Sequence, residues 1–547
     1  MSETQKKQNF LQGAALLAIA TAIVKIIGAF YKLPLNIAIG SEGYGYFTTA
    51  YDIYAVLLLV STAGLPVAVS RMISRASTLE QYTRMRKVFR SALMIFTILG
   101  TVSSVLMIGG AKQLAVLMNQ PDAWITIACL GPCGITMGLI SAIRGYFNGQ
   151  SNMLPSSVSQ VIEALIKLGL GLVLAFFLIK TTGNVAFAAG GAIIGVTVGN
   201  AMALVYLLIK FRKSYRALPV TPEPAGTTKE TVRELLAIAI PITIGSAGLQ
   251  LMAVIETGLY MDRLVYLIET NRYMGHMVQG AVTAQKAATT LKGLYNLAQT
   301  IFNMPCAFIV PITVSIIPAI TSYLTLGDHE NVRKTEESAS RITGLLSLPC
   351  AVGLTVLARP IMALLGGYEG EQLELSAQFM TILGISVFFQ STIQFLHAIL
   401  QSHGFVNIPV VHMISSAVVR MILVYTMVGN PKLGLLGAPI GASIGYLLIL
   451  VLDLWAIRRK IPQKPQILKN VLRPGIPALV MGVVVFFCYR ILVGILGIDG
   501  SRVLLAGIPI AVGGVVYLVC VVLFKSITRD DCLLLPKGEK IAKLLRL

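Results

Sequence analysis

The chain has 547 residues, of which 55% are hydrophobic and only 12% charged, and its formal net charge is +20. A mean hydropathy of +0.78 lies far outside the range of soluble domains, so a water-soluble enzyme is excluded and an integral membrane protein is expected. Apolar runs of roughly 20 residues recur and barrel-type alternation is absent, which makes the spans α-helices.

In chain order, helices are expected near residues 11–39, 46–74, 88–109, 123–147, 155–179, 185–209, 234–262, 286–323, 340–364, 373–402, 408–429, 433–458, 474–496 and 503–526, fourteen in all. The long stretches around Gly64-Leu65-Pro66 and Met304-Pro305 must kink or tilt. MSETQKKQNF leads into the first helix without a small-residue cleavage site, so an uncleaved first helix is expected. Lys and Arg number about 30 at the N-terminus, in the even-numbered loops and in the C-terminal tail, against about 8 on the other side. That bias places both termini in the cytoplasm. The basic clusters at residues 71–90, 210–233, 458–473 and 525–546 therefore report topology rather than nucleic-acid binding. They also suit anionic membrane lipids, at about 1 kcal/mol per basic residue near the surface.

Two segments about 246 residues apart are near copies: GAIIGVTVG carries Gly191, Gly195 and Gly199, and GAPIGASIG carries Gly437, Gly441 and Gly445. Glycine at i, i+4 and i+8 gives each helix a smooth stripe that another helix's backbone can approach closely. PVAVSRMISRAS from Pro66 and PITVSIIPAITS from Pro311 keep nearly the same offset. Internal duplication across apolar segments marks a secondary transporter. The expected architecture is all-α: a six-helix lobe in residues 1–213, a cytoplasmic linker in 214–233, a second, parallel six-helix lobe in 234–460, and an extra helix pair with a basic tail in 461–547. That last pair either lines a groove for a lipid tail or braces the second lobe.

A charge at mid-membrane costs about 2.5–3.5 kcal/mol on insertion scales, so the charges present should face a cavity or a partner. The candidates are Lys25, Lys32, Arg144, Lys167, Lys292 and Arg420, against Asp52, Glu163 and Glu256. A shift of 253 residues places Arg420 on Lys167, giving each lobe a cation at an equivalent position. Glu163 and Lys167, at i and i+4, also read as an intrahelical pair. Lys32, Arg144 and Lys292 stand where they could instead snorkel to the headgroups. A net-positive cavity concentrates anions, and Lys with Arg suits phosphate oxygens. Gln250, Asn296, Gln299, Asn303, Gln390 and Gln394, with Gln401, would suit sugar hydroxyls or bond neighbouring helices.

No GxxxxGK[ST] or HExxH occurs, the five His show no ligand spacing, and Cys129 with Cys133 lacks a completing ligand, so no metal, cofactor or ATP coupling is expected. Energy would come from a gradient, from product removal, or from the membrane potential, which is worth about 2.3 kcal/mol per charge per 100 mV.

Four segments, KIIGAFYKLPL from Lys25, STAGLPVAVSRMISRAS from Ser61, RGYFNGQSNMLPSSVSQVIEALIK from Arg144 and LYNLAQTIFNMPCAFIVPITVSIIPAI from Leu294, resemble the multidrug/oligosaccharidyl-lipid/polysaccharide flippase superfamily. The resemblance is to its polysaccharide transporter branch, which contains stage V sporulation protein B and the lipid II flippases. It covers nearly the whole chain and implies fourteen helices, two lobes around a cationic cavity, and flipping of an undecaprenyl-pyrophosphate-linked saccharide to the outer leaflet. It also places Lys25 where Gram-negative lipid II flippases carry a first-helix Arg, with Gly28 on the Gly that follows. Their next cation falls on Tyr31, beside Lys32, and their eighth-helix Arg near Thr300.

The expectation is a flippase, not an enzyme, in a bacterial inner membrane, moving a peptidoglycan precursor such as lipid II by alternating access. It would act as a monomer, with a lipid-linked oligosaccharide as substrate, and a cell-wall synthase is the expected protein partner. A drug/cation antiporter would want twelve helices and an acidic cavity. A membrane-embedded glycosyl polymerase or ligase would need a large outer loop with catalytic charges.

Overall fold

A computed structural model of the protein describes residues 3–62, 65–150, 152–219, 227–270, 283–462, 464–497 and 500–528. Some side chains within these helices, those of Lys25 and Gln250 included, lie outside the described residues. The described residues are nearly all helical, with no strand among them. Ten of their helical segments are long and apolar enough to cross a membrane, and the chain is a multi-pass membrane protein. It separates into two compact units, residues Met1–Glu269 with Gly280–Gly293, and Thr270–Gln279 with Leu294–Leu547.

The first unit opens with α1 (Glu3–Thr62), whose helical course is interrupted at Gly40, where φ is +69°. A side chain would strain that conformation, so glycine supplies the break. α2 (Leu65–Thr78), α3 (Tyr82–Gly109) and the short α4 (Ala111–Leu117) follow. The span expected over 123–147 is one membrane-length stretch, Pro121–Gly149, in which α5 (Trp124–Leu130) and α6 (Cys133–Gly149) meet at Gly131-Pro132. α7 (Leu154–Thr182) ends on Gly183 in the left-handed conformation. Asn184 then caps α8 (Val185–Arg216), its side chain accepting from the Ala186 and Phe187 amides. Two residues thus turn one long helix back on the next.

A Cβ at Gly195 would collide with the Gly171 backbone, one at Gly191 would meet Leu174 and Leu178, and one at Gly199 would sit 2.8 Å from Glu163 O. Through these positions α8 lies against α7, packing backbone on backbone where lipid supplies no hydrophobic drive between helices. α9 (Thr228–Glu269) and the first turns of α10 (Ala284–Thr325) complete the unit. Its core joins α2, α3, α6, α8 and α9 around Phe89, Phe96, Tyr146 and Leu207.

The second unit continues α10 and adds α11 (His329–Val356), α12 (Ala358–Gly366), α13 (Gly370–Ser402), α14 (Asn407–Val428), α15 (Gly437–Lys460), the short α16 (Ile467–Leu472), α17 (Gly475–Leu496) and α18 (Arg502–Leu523). Here too one expected helix, over 340–364, is divided, at Leu357. A Cβ at Gly437 would meet Met427, one at Gly441 would meet Val424, and one at Gly445 would sit 3.1 Å from Ser416 Oγ and 3.4 Å from Arg420 Cδ. The second glycine stripe therefore seats α15 on α14. The final pair packs on the unit's own helices: Tyr517 Oη of α18 donates to Leu345 O of α11 at 2.8 Å, and Gly482 of α17 faces Val352. Ile476, Leu479, Val483, Phe487, Ile491 and Ile495 leave a face of α17 exposed and apolar, as lipid contact requires.

Candidate functional site

Charge gathers inside the first unit on α1, α6, α7 and the start of α10. Gly45 and Gly293 let the second half of α1 meet α10 closely, since a Cβ at Gly45 would be 2.5 Å from Thr289 O and one at Gly293 would collide with the Ser41 backbone. That approach brings Lys292 to residues about 240 positions earlier. Its Nζ donates to Asp52 Oδ2 at 3.0 Å and to Thr49 Oγ1 at 2.7 Å. Thr49 lies 2.6 Å from Gln120 Oε1, extending the polar chain. Lys292 has 0% of its side chain exposed and Asp52 33%, so the ammonium is sealed and the carboxylate is not. Snorkelling is thereby excluded for Lys292. Position along the helix suggested it, but the tertiary contact overrides it.

A second pair stands on α6 and α7. Arg144 Nε donates to Ser159 Oγ at 2.9 Å and Nη2 to Glu163 Oε2 at 3.3 Å, with Ser159 Oγ donating in turn to Ser156 O. Arg144 is thus another inward residue. Glu163 takes its hydrogen bond from Arg144 and still attracts Lys167, four residues along the same helix, electrostatically. Lys167 directs Nζ over two tyrosine faces, 5.2 Å from the Tyr31 centroid and 4.8 Å from that of Tyr51. Each such contact is worth about 0.5–2 kcal/mol, depending on desolvation. Tyr31 is fully buried and its hydroxyl donates to Ala192 O at 3.2 Å, while Phe47 stands between the two tyrosines. Tyr31 thus offers a buried ring face to the Lys167 ammonium. Lys32 is half-buried, close enough to both Asp52 and Lys167 to interact electrostatically.

Lys32, Arg144, Lys167 and Lys292 thus stand against Asp52 and Glu163, a surplus of two positive charges. Arg144 and Lys292 are each hydrogen-bonded to a carboxylate, and Lys167 is held only by ring faces and longer-range charge. An anion entering here would meet Lys32 and Lys167 as the cations least committed to other groups. Glu256 is half-buried on α9 in the same unit.

The remaining candidates belong to the second unit. Arg420, half-buried on α14, lays its side chain along Gly445 of α15. Asn303 is exposed and donates to Gln299 O of its own helix at 2.8 Å, Asn296 and Gln299 are half-buried on α10, and Gln390 and Gln394 are half-buried on α13. Lys25 and Gln250 fall outside the described side chains.

Two acids of the second unit escaped sequence reasoning. Asp453 of α15, with 0% exposure, has His412 Nδ1 at 2.7 Å and His397 Nε2 at 3.0 Å. Glu336 of α11, also at 0%, has His403 Nε2 at 2.8 Å. A lone acid inside the apolar run GYLLILVLDLWAI was the available signal for Asp453. Among the described residues no cluster of His, Cys, Asp and Glu has the arrangement of a metal site.

A family profile described as "Polysaccharide biosynthesis protein" matches residues 10–324, and one described as MatE matches residues 276–426. The chain is 22% identical to "Stage V sporulation protein B" of Bacillus subtilis, over 97% of this chain and 98% of that one. It is 24% identical to "Lipid II flippase MurJ" of the same organism, over 94% and 95%. Among solved structures it is similar to "Lipid II flippase MurJ, inward closed conformation", with a TM-score of 0.67, 15% identity, and coverage of 95% of this chain and 99% of that one.

Proposed function

We propose, on the premise that this chain belongs to the polysaccharide biosynthesis protein family within the multidrug/oligosaccharidyl-lipid/polysaccharide flippase superfamily, that it flips an undecaprenyl-pyrophosphate-linked saccharide across a bacterial inner membrane. The observation that carries the reading is the surplus of two positive charges in the described cluster of Lys32, Arg144, Lys167 and Lys292 with Asp52 and Glu163. A lipid-linked diphosphate carries about two negative charges, so Lys32 and Lys167 match it once Arg144 and Lys292 are discounted as paired. Lys25 and Arg420 are proposed to join them as the head passes.

The cargo is a peptidoglycan precursor such as lipid II, a substrate supported by the printed name of one relative. The repeat works as two six-helix lobes in alternating access, with both termini cytoplasmic and the helix pair after residue 460 lining the tail's path. An inside-negative potential assists outward movement of the anionic head. The protein acts as a monomer and hands its product to a cell-wall synthase.

The MatE match over residues 276–426 favours one other reading, a drug/cation antiporter. A cationic substrate would be repelled by the first unit's surplus, which is why the anion is preferred. Depletion in the native cell tests the choice. The flippase reading expects a lipid-linked saccharide to accumulate on the cytoplasmic leaflet, whereas normal lipid intermediates with raised drug sensitivity would contradict it.

A further inference from the structure

Asp453 is sealed in an apolar helix, and each of its carboxylate oxygens faces an imidazole from another helix, His412 Nδ1 of α14 at 2.7 Å and His397 Nε2 of α13 at 3.0 Å. The two contacts differ in kind. The first is a hydrogen bond, whereas the second is at ion-pair distance without hydrogen-bond alignment. An uncompensated carboxylate in such surroundings costs several kcal/mol, and the two imidazoles are the groups placed to offset it. Imidazole is the side chain whose ordinary titration falls between about pH 5 and 8.

The cluster also has an entrance. His412 lines an open groove of about 400 Å³ between α14 and α15, together with Asn407, Trp455, Arg459 and Lys460. The groove lies at the basic end of α15, the end read as cytoplasmic. A proton arriving from that side adds to the His412 imidazole, and its charge is met by the Asp453 carboxylate behind it.

Several other ionisable groups on the packed helices face the groove or have partners of their own. Arg459 and Lys460 face the same groove, with the Arg459 guanidinium 5.2 Å over the Trp455 ring, and both repel a second positive charge on the cluster. On α11, Glu336 is bonded to His403 of α13, Glu337 to Arg333, and Arg341 to Asn470. On α12, Arg359 pairs with Glu374 of α13. Arg420 is eight residues, about 12 Å, further along α14 than His412.

We propose that His397, Asp453 and His412 form a proton-binding site, filled from the groove, that supplies the ion coupled to transport. The site sits beside a helix contact able to report it: one turn beyond His412, Ser416 Oγ donates to Gly445 O at 2.8 Å on the glycine stripe joining α14 to α15. Protonation charges the imidazole that is bonded to Asp453 and so bears on that packing. Binding is independent of the flippase reading. Coupling rests on it.

The test uses full-length protein carrying Trp124→Phe, which leaves Trp455, beside His412, as the sole tryptophan. A fluorescence titration across about pH 5 to 8 is expected to show a transition that His412→Gln abolishes. Asp453→Asn should lower its midpoint by about one pH unit or more through loss of the opposite charge. His403→Gln, in the separate Glu336 pair, should leave it in place. Should Asp453→Asn fail to fold, His397→Gln, which keeps the carboxylate, must still shift the midpoint. No transition, or one unchanged in both His412→Gln and His397→Gln, overturns the site. In proteoliposomes with a labelled undecaprenyl-diphosphate saccharide, His412→Gln should flatten the pH profile of flipping. An unchanged profile overturns the coupling. Absence of flipping by the unsubstituted protein at every pH counts against the flippase reading instead, and the titration still decides the site.

Discussion

Lys292→Met and Asp52→Ala probe the same contact from opposite sides, and the structure assigns them unequal costs. Removing one member of a buried ion pair typically costs about 3–5 kcal/mol, because the other is left uncompensated. Lys292→Met strands a carboxylate that is 33% exposed and can still reach water, which places it near the low end, about 3 kcal/mol. Asp52→Ala strands an ammonium that is 0% exposed and retains only Thr49 Oγ1 as a side-chain acceptor, which places it near about 5 kcal/mol. The double variant buries no charge at this point and should cost about 2 kcal/mol, far below the sum, since neutral replacement of both partners removes the desolvation penalty with the attraction. At roughly 2 °C per kcal/mol for a protein this large, the melting temperatures should fall by about 6, 10 and 4 °C. The assay is thermal unfolding of detergent-purified protein followed by two independent probes. A double variant that falls as far as the two single shifts added together would refute the assignment of Lys292 and Asp52 as a coupled buried pair.

Other consequences are as direct. Gly195→Ala sets a Cβ into the Gly171 backbone, so it should cost more than the usual 1–3 kcal/mol of overpacking, about 4 kcal/mol. Gly169→Ala, on the same pair of helices with nothing within 4 Å, should instead gain about 0.5–1 kcal/mol; melting curves of the two compare them. Tyr51→Leu removes one ring from beneath Lys167 and should weaken diphosphate binding by about 1 kcal/mol, near fivefold, while Tyr51→Phe keeps it, as read by titration calorimetry. At the start of α11, hydrogen bonds from the Asn331 side chain and amide hold the Asp328 carboxyl below its usual value. A carboxyl lowered in the folded state contributes stability above its unfolded value and loses it as pH falls through the folded one. Asp328→Ala should therefore melt lower than the unsubstituted protein at neutral pH, and the gap should close in acid below about pH 4.

Helix positions were legible because span length and hydropathy are local properties. The turn after α7 could be read from Gly183-Asn184 alone, where a left-handed glycine ends one helix and an asparagine caps the next. The breaks at Gly131-Pro132 and Leu357 were not read, since neither interrupts the apolar composition that a hydropathy window senses. Short α4 and α16 are too brief to register as spans.

Within the site, burial cost singled out Asp52, Arg144, Glu163, Lys167 and Lys292, but it carries no information about partners. Glu163 and Lys167 looked paired because they are four apart on one helix, yet Arg144, on the preceding helix, takes the carboxylate. Lys292 and Asp52 are 240 residues apart, and only the close approach at Gly45 and Gly293 unites them. The histidines had no mutual spacing to notice, because Asp453 gathers His397 and His412 through tertiary packing alone.

Lys32 and Lys167, the cations of the first-unit cluster least committed to other groups, are proposed to receive a lipid-linked diphosphate. Outward flipping of a labelled undecaprenyl-diphosphate saccharide by reconstituted Lys32→Gln/Lys167→Gln protein measures it most directly. Flipping should be lost in a variant that still inserts and melts near the unsubstituted protein, and an undiminished rate would rule out these two lysines as the diphosphate's partners.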